Sequence, residues 1–335
     1  MRILLPLLCF LLSVSVLNVS AAENAITYEP KPGPGKGKHI VFLCGDEEYR
    51  SEEGLPMLAK ILSQRHGFKC TVVFSVNSEG EIDPNNQESI SNSEVLDSAD
   101  LIIMALRFRR WPEADLERFA AAVERGTPII GLRTSTHAFL AKYKNLDTFG
   151  KRVLGEEWVS HWGRHKAEAT RGAIEADAKD HPVLRGVADV FGDTDVYEAY
   201  PPSDATILLR GQVLKGMTPD SAPASYPKKR ASDGKTQDVN DPMMPVAWTR
   251  VLKTASGAEH RILCTTMGSA TDLESEGLRR LVVNGVYWGL GLDVPEKANV
   301  EYVDPYKPLM YGFNGARKGI KISDHALGKE LPAGK

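Results

Sequence analysis

The sequence predicts an α/β fold built on a doubly wound, mostly parallel sheet with helices on both faces. Three observations carry this. Short apolar runs of strand length recur along the first half of the chain. Segments of helical periodicity stand between them, which is the order of a parallel sheet with crossover helices. The runs are continuously apolar rather than alternating, as strands covered on both faces must be.

At the N-terminus, Arg2 precedes an apolar run from Ile3 to Leu17, and Val19-Ser20-Ala21 supplies small residues at a cleavage site. That layout predicts a signal peptide over 1–21, and hence a periplasmic or secreted protein with no membrane association after cleavage. The run is too short to span a bilayer comfortably. Residues 22–37, rich in Pro, Gly and Lys, read as a solvated linker. His39 to Cys44 is the first strand, closed by Gly45. Ser51 is placed to cap the next helix, with Glu52 and Glu53 at its positive end. Leu55, Leu58, Ala59 and Leu62 give that helix one apolar face. Cys70–Phe74 and Leu101–Ala105 are the second and third strands. Pro112 opens a helix whose core face holds Phe119, Ala122 and Val123, and Gly126 ends it. Pro128 to Leu132 is the fourth strand. Right-handed crossovers make this a flavodoxin-like layout, in which ligands bind beyond the carboxyl ends of the strands.

In the second half, residues 166–176, Ile207–Leu209, Val246–Trp248 and Arg261–Cys264 read as strands. Residues 215–243, rich in Pro, Ser, Lys and Asp, read as a long surface loop. Thr271 to Glu274 fits a capping box before a helix with Leu278, Leu281, Val282 and Val286 on one side. Gly285 and Gly289 fall on that side and allow a close approach. A single domain over 38–292 is expected, with 293–335 an extension packed on it or trailing it.

The net charge is −3 and no basic stripe is present, so nucleic acid and anionic membrane are not expected partners. Cys44, Cys70 and Cys264 remain after signal cleavage. An odd number beside apolar runs argues for buried thiols rather than a disulfide framework.

The candidate chemistry lies after the strands. Asp46 and Glu47, upstream of the helix cap, are candidate acid–base groups, with Tyr49 beside them as a binding residue. Arg107 follows the third strand and is placed to hold a carbonyl or an anionic group. Gly131 to Phe139 has the strand-to-helix setting of a nucleophile elbow, yet Arg133 stands where the nucleophile would be. Thr134 and His137 remain there as polar candidates for binding, His137 being the more structural of the two. His161 is the third acid–base candidate. His161 and His165 would share a helix face suited to a divalent metal, but Trp162 and Gly163 argue against a helix. No third ligand stands out, so no metal or other cofactor is nominated. Tyr197 and Trp248 offer faces for a sugar ring.

In sequence order, "GDEEYRSEE", "RFRRWP", "GLRTSTHAF", "HWG", "HPVLRGV", "DVYEAY", "PVAWTR" and "TTMGSATDLESEGLRRLVVNGVYWGLG" resemble the ThuA-like (trehalose utilisation) family. The chain is similar to its exported, planctomycete-type members, as is the tail "YGFNGARKGIKISDHA". The resemblance spans residues 38 to about 326 and implies a class I glutamine amidotransferase-like fold and a link to carbohydrate use. Action on oxidised (keto) sugars is one activity it implies. Two departures stand out. Arg133 removes the cysteine of amidotransfer, and Ser269 stands where many members carry a histidine after glycine.

The expected partner is therefore a small-molecule carbohydrate, bound or converted by a hydrolase, lyase or isomerase. The alternatives are a non-catalytic sugar-binding module and a partner-docking protein, and the sequence leaves homo-oligomerisation open.

Overall fold

The computed structural model describes residues 24–333; the segment that carries the signal-peptide reading lies outside them. The first strands are β1 (Ile26–Tyr28), β2 (His39–Gly45), β3 (Lys69–Val73), β4 (Leu101–Leu106) and β5 (Ile129–Leu132). They are followed by β6 (Ser160–His161), β7 (Thr170–Ile174), β8 (Val190–Gly192), β9 (Tyr197–Glu198) and β10 (Thr206–Val213). The last four are β11 (Pro227–Lys229), β12 (Thr236–Asp238), β13 (Met244–Lys253) and β14 (Glu259–Thr265). The main helices are α1 (Ser51–His66), α2 (Glu113–Glu124) and α3 (Glu276–Gly289).

One sheet runs in the order β1-β3-β2-β4-β5-β14-β13-β10-β7-β8. Its centre, from β3 to β14, is parallel, as expected. The second half of the chain adds β13, β10, β7 and β8 as an antiparallel extension. Along β2, Ile40, Phe42 and Cys44 join one core and Val41 and Leu43 the other. The first core also takes Leu58 and Ile61 of α1 with Leu281 and Val282 of α3, and the second takes Leu116 and Phe119 of α2. Helices thus cover both faces, which is why the strands carry no polar alternation.

Several local expectations are corrected. The stretch read as a linker contains β1, which pairs antiparallel with β3. Its glycines let it lie against α1: a Cβ on Gly33 would stand 2.6 Å from the His66 carbonyl oxygen. Ser51 is not the cap of α1; Arg50 precedes the helix in a left-handed conformation, φ 57°. Almost every residue of α1 is buried, not one face only, because the C-terminal extension lies over it. Lys60 Nζ of α1 meets Asp304 at 2.6 Å, and Arg317 meets Glu53 at 3.1 Å. The segment 215–243 is not a plain loop: it contains the β11–β12 hairpin, and Trp162 donates to the Val239 carbonyl at 2.7 Å. Before α3 the cap is Ser275, whose hydroxyl accepts from Leu278 N. Gly285 does admit a close approach, since a Cβ there would lie 2.3 Å from Leu263 of β14.

Among the described residues no helix is long and apolar enough to cross a membrane. Cys44, Cys70 and Cys264 are free and buried, and burial pushes each thiol up.

Candidate functional site

The carboxyl ends of β2, β4 and β5 deliver three turns to one edge of the sheet. The first, after Gly45, is stapled by Asp46. Its carboxylate accepts from Glu48 N at 2.8 Å and Tyr49 N at 2.9 Å, and Thr134 Oγ1 donates to its other oxygen. Asp46 is fully buried and spent on these bonds. That corrects its placement as an acid–base group and, for the same reason, the placement of Thr134 as a binding residue. Glu47 is largely buried between two guanidinium groups, paired with Arg107 and, at 2.8 Å, with Arg109. A carboxylate so held is an anchor for Arg107.

At the end of β5 the chain turns sharply from strand to helix at Arg133. Arg133 has φ 44°, the left-handed backbone that a sharp strand-to-helix turn demands and that non-glycine residues rarely adopt. Its side chain turns inward and is buried, with its guanidinium spent on protein partners rather than open to the cleft. Nη1 donates to the carbonyls of Asp195 and Thr266, both at 2.7 Å, and Nη2 to Asp195 Oδ1 at 3.0 Å. The guanidinium lies 3.8 Å from the Tyr197 ring centre and 4.7 Å from that of Tyr49. Burial pushes the Tyr49 phenol up to about 12, against the pull of Arg133, so it serves as a protonated wall. Trp248 is wholly buried, donating to the Leu154 carbonyl at 2.7 Å. It is a core residue, which corrects its placement at the ligand.

The strand pair β6–β9 sets His161 opposite Tyr197. His161 and His165 are not on a helix, yet the turn after β6 brings their ring centres to 4.5 Å. Asp195 lies between them: its Oδ2 is 2.8 Å from His161 Nδ1 and its Oδ1 3.0 Å from His165 Nδ1. Burial works to raise the Asp195 carboxyl, but Arg133 and the two imidazoles hold it well below the usual carboxylate range. On its far side His165 Nε2 meets Glu48 Oε1 at 3.2 Å.

Aromatic faces surround this cluster. Trp158, 41 % exposed, lies 5.8 Å from both His161 and His137. Phe108 packs on His137 at 5.0 Å and under Arg107 at 4.5 Å, and Arg107 also lies over Phe313 at 5.0 Å. Tyr311 packs against Tyr49 at 5.2 Å and His165 at 5.6 Å. Burial first, then the charge of Arg107, lowers His137 to about 3, so its ring is a neutral part of this rim.

Sequence reasoning thus brought Glu47, Tyr49, Arg107, His137, His161 and Tyr197 to one edge. It missed Glu48, Trp158, Asp195, Tyr311 and Phe313, and set His165 aside once a helix there was doubted. The four-residue spacing of the two histidines was the available signal; the segment Asp193 to Glu198 held the third member of the cluster without marking it. Ser269 is buried and accepts from Asp272 N at 2.9 Å.

A doubly wound α/β sheet with a sharp turn at Arg133 after β5 defines the class. The family model for ThuA, described as trehalose utilisation, matches residues 40–289, and the chain belongs to this family. That ties it to carbohydrate utilisation. Among solved structures it is similar to a ThuA-like protein from Parabacteroides merdae, with 16 % identity and TM-score 0.49, covering 77 % of this chain and 92 % of that one. A ThuA-like protein from Bacteroides uniformis gives 16 % identity and TM-score 0.48, over 78 % and 95 % of the two chains. No curated protein sequence matches the chain.

Proposed function

We propose that this protein is exported and that it binds and converts a sugar, or an oxidised (keto) sugar derivative, at the carboxyl edge of its sheet. One observation supports this above others: the imidazole–carboxylate cluster of His161, His165 and Asp195 lies inside a rim of Trp158, Phe108, Tyr311 and Phe313. Aromatic faces pack on the C–H faces of a sugar ring, while charged and imidazole groups take its hydroxyls and carbonyl. Arg107, anchored by Glu47 and 20 % exposed, is the cation of that rim. His161, 35 % exposed, is the member of the cluster most open to a substrate. Lyase or isomerase chemistry beside a carbonyl suits such a centre, whereas amidotransfer does not, because Arg133 occupies the elbow.

Thermal-shift titration against a panel of sugars and keto-sugars tests the reading. At least one is expected to raise the melting temperature by mass action. Trp158→Ala and Arg107→Ala should abolish that rise while melting like the wild-type protein without ligand. A panel without any shift, or a shift that both variants retain, would sink the proposal. Turnover of the same ligand separates a converting enzyme from a binding module.

A further inference from the structure

We infer that His161, His165 and Asp195 form a site for one divalent transition-metal cation, with Glu48 as the residue that orients His165. One ligand atom from each of the three lies within 4.8 Å of the others. The two contacts to Asp195 are 2.8 and 3.0 Å. A zinc ion bound at about 2.0–2.2 Å by nitrogen and oxygen would hold its donors about 3–3.5 Å apart, so the three side chains, with donor atoms within 4.8 Å of one another, draw together by small rotations to close on an ion. Two imidazoles and a carboxylate, with further positions open, are a donor set that zinc and iron(II) accept.

Hydrogen-bond matching points the same way. His165 has a carboxylate oxygen at each ring nitrogen, Asp195 on Nδ1 at 3.0 Å and Glu48 on Nε2 at 3.2 Å. Only a doubly protonated ring, or a neutral ring with a cation on one nitrogen, satisfies both. With a cation on Nδ1, the single N–H sits on Nε2 and donates to Glu48. That is the arrangement in which an outer carboxylate fixes the tautomer and the tilt of a metal-bound histidine. The charge balance also suits a cation: the carboxylates of Glu48 and Asp195 flank the imidazoles, and Arg133 pairs with only one of them. The open side of the site is the histidine side, where His161 and His165 are 35 % and 26 % exposed and face Trp158 and Tyr311.

The consequence for substrate rests on the sugar reading; the metal site does not. A divalent ion at this point supplies Lewis-acid polarisation of a sugar hydroxyl or carbonyl oxygen.

The experiment is metal uptake by the full chain. The purified protein is stripped with chelator and dialysed against Zn²⁺, Mn²⁺ or Fe²⁺ alone, and bound metal per chain is then measured. One equivalent of at least one ion is expected, with a raised melting temperature that chelator reverses. His161→Ala and His165→Ala should each lose the equivalent, and Glu48→Gln should weaken affinity by roughly 10- to 100-fold. If the histidine variants fail to fold, the cobalt(II) form of the wild-type protein decides the point: a ligand-field spectrum of nitrogen and oxygen donors, sensitive to Glu48→Gln, is expected. Absence of stoichiometric uptake of all three ions, or full retention by His161→Ala, would overturn the inference. Metal uptake without any sugar-induced shift would sink the sugar proposal and leave the metal site standing. A sugar shift in protein that takes up no ion would do the reverse.

Discussion

Arg133 makes the turn after β5 a support of the site rather than a group presented to it. It sits in backbone that costs on the order of 1–3 kcal/mol for a non-glycine residue, and its surroundings hold it there through four hydrogen bonds and two aromatic faces. Removing its charge leaves Asp195 buried with only the two imidazoles as side-chain partners. Arg133→Met is therefore expected to cost roughly 3–5 kcal/mol in chemical denaturation, the scale of a broken buried ion pair. A variant as stable as the wild-type protein would show that the histidines alone sustain Asp195. Glu52 presents the opposite case. It is buried at the start of α1, and neither carboxylate oxygen has a hydrogen-bond partner. Burial, with the charge of Glu53 added, raises it to about 8. An unfolded glutamate releases its proton near pH ~4.3, so between these values the native state binds more protons and stability falls as pH rises. Glu52→Gln should match the wild-type protein in acid and exceed it by on the order of 4 kcal/mol at about pH 9. Parallel stability curves for the two proteins across that range would refute the burial of a strained acid here.

At the scale of elements, the parallel strands were legible because burial on both faces leaves an unbroken apolar run, as Ile40 to Cys44 and Leu101 to Ala105 do. What was not legible depends on partners distant in sequence. β1 is three residues long and gains its identity from pairing with β3. β6 and β9 are two residues each and exist to oppose His161 to Tyr197. Asp272 reads as part of a capping box, yet it binds Thr194 N at 3.0 Å and Gly268 N at 2.9 Å, so tertiary contacts overrode the local motif. The β11–β12 hairpin is held in the same manner. Glu198 accepts from Ala231 N at 2.8 Å, Ser232 N at 3.0 Å and Ser160 Oγ at 2.8 Å. Burial would raise its carboxyl, but these donors hold it at about 2. The clamp therefore contributes stability above pH ~4.3 that is lost as pH falls toward about 2. Glu198→Ala should speed hydrogen exchange of residues 227–238 at neutral pH and leave the central strands protected. Unchanged exchange there would mean that the bond from Trp162 to the Val239 carbonyl suffices to hold the hairpin.

For the whole molecule, the rule that ligands gather beyond parallel strand ends located the edge but not the occupants of the site. The rule applies to residues just after strands, such as Glu47 and Arg107. It is silent on Tyr311 and Phe313, which lie beyond residue 289, where the family match ends. The extension carries them there by wrapping α1. Gly312 N donates to the Glu48 carbonyl at 2.8 Å, and Arg50 Nη2 donates to the Gly312 carbonyl at 2.5 Å. Further along, Tyr306 donates to the Ala270 carbonyl at 2.7 Å, and Tyr28 to the His325 carbonyl at 2.8 Å. Ile320 and Ile322 are buried in the same core as Leu58 and Ile61. The extension is thus part of the core as well as a wall of the site, and the two roles separate by mutation. Ending the chain at residue 292 would strip the cover from α1 and leave Lys60 and Glu53 without Asp304 and Arg317. A chain of residues 24–292 is expected to be insoluble or to melt far below one of residues 24–333. Replacing both Tyr311 and Phe313 with alanine should instead leave most of that cover in place and the melting temperature within a few degrees, while weakening any sugar-induced shift. If the shortened chain melts like the longer one, the extension is an appendage, and its aromatics do not belong to the site.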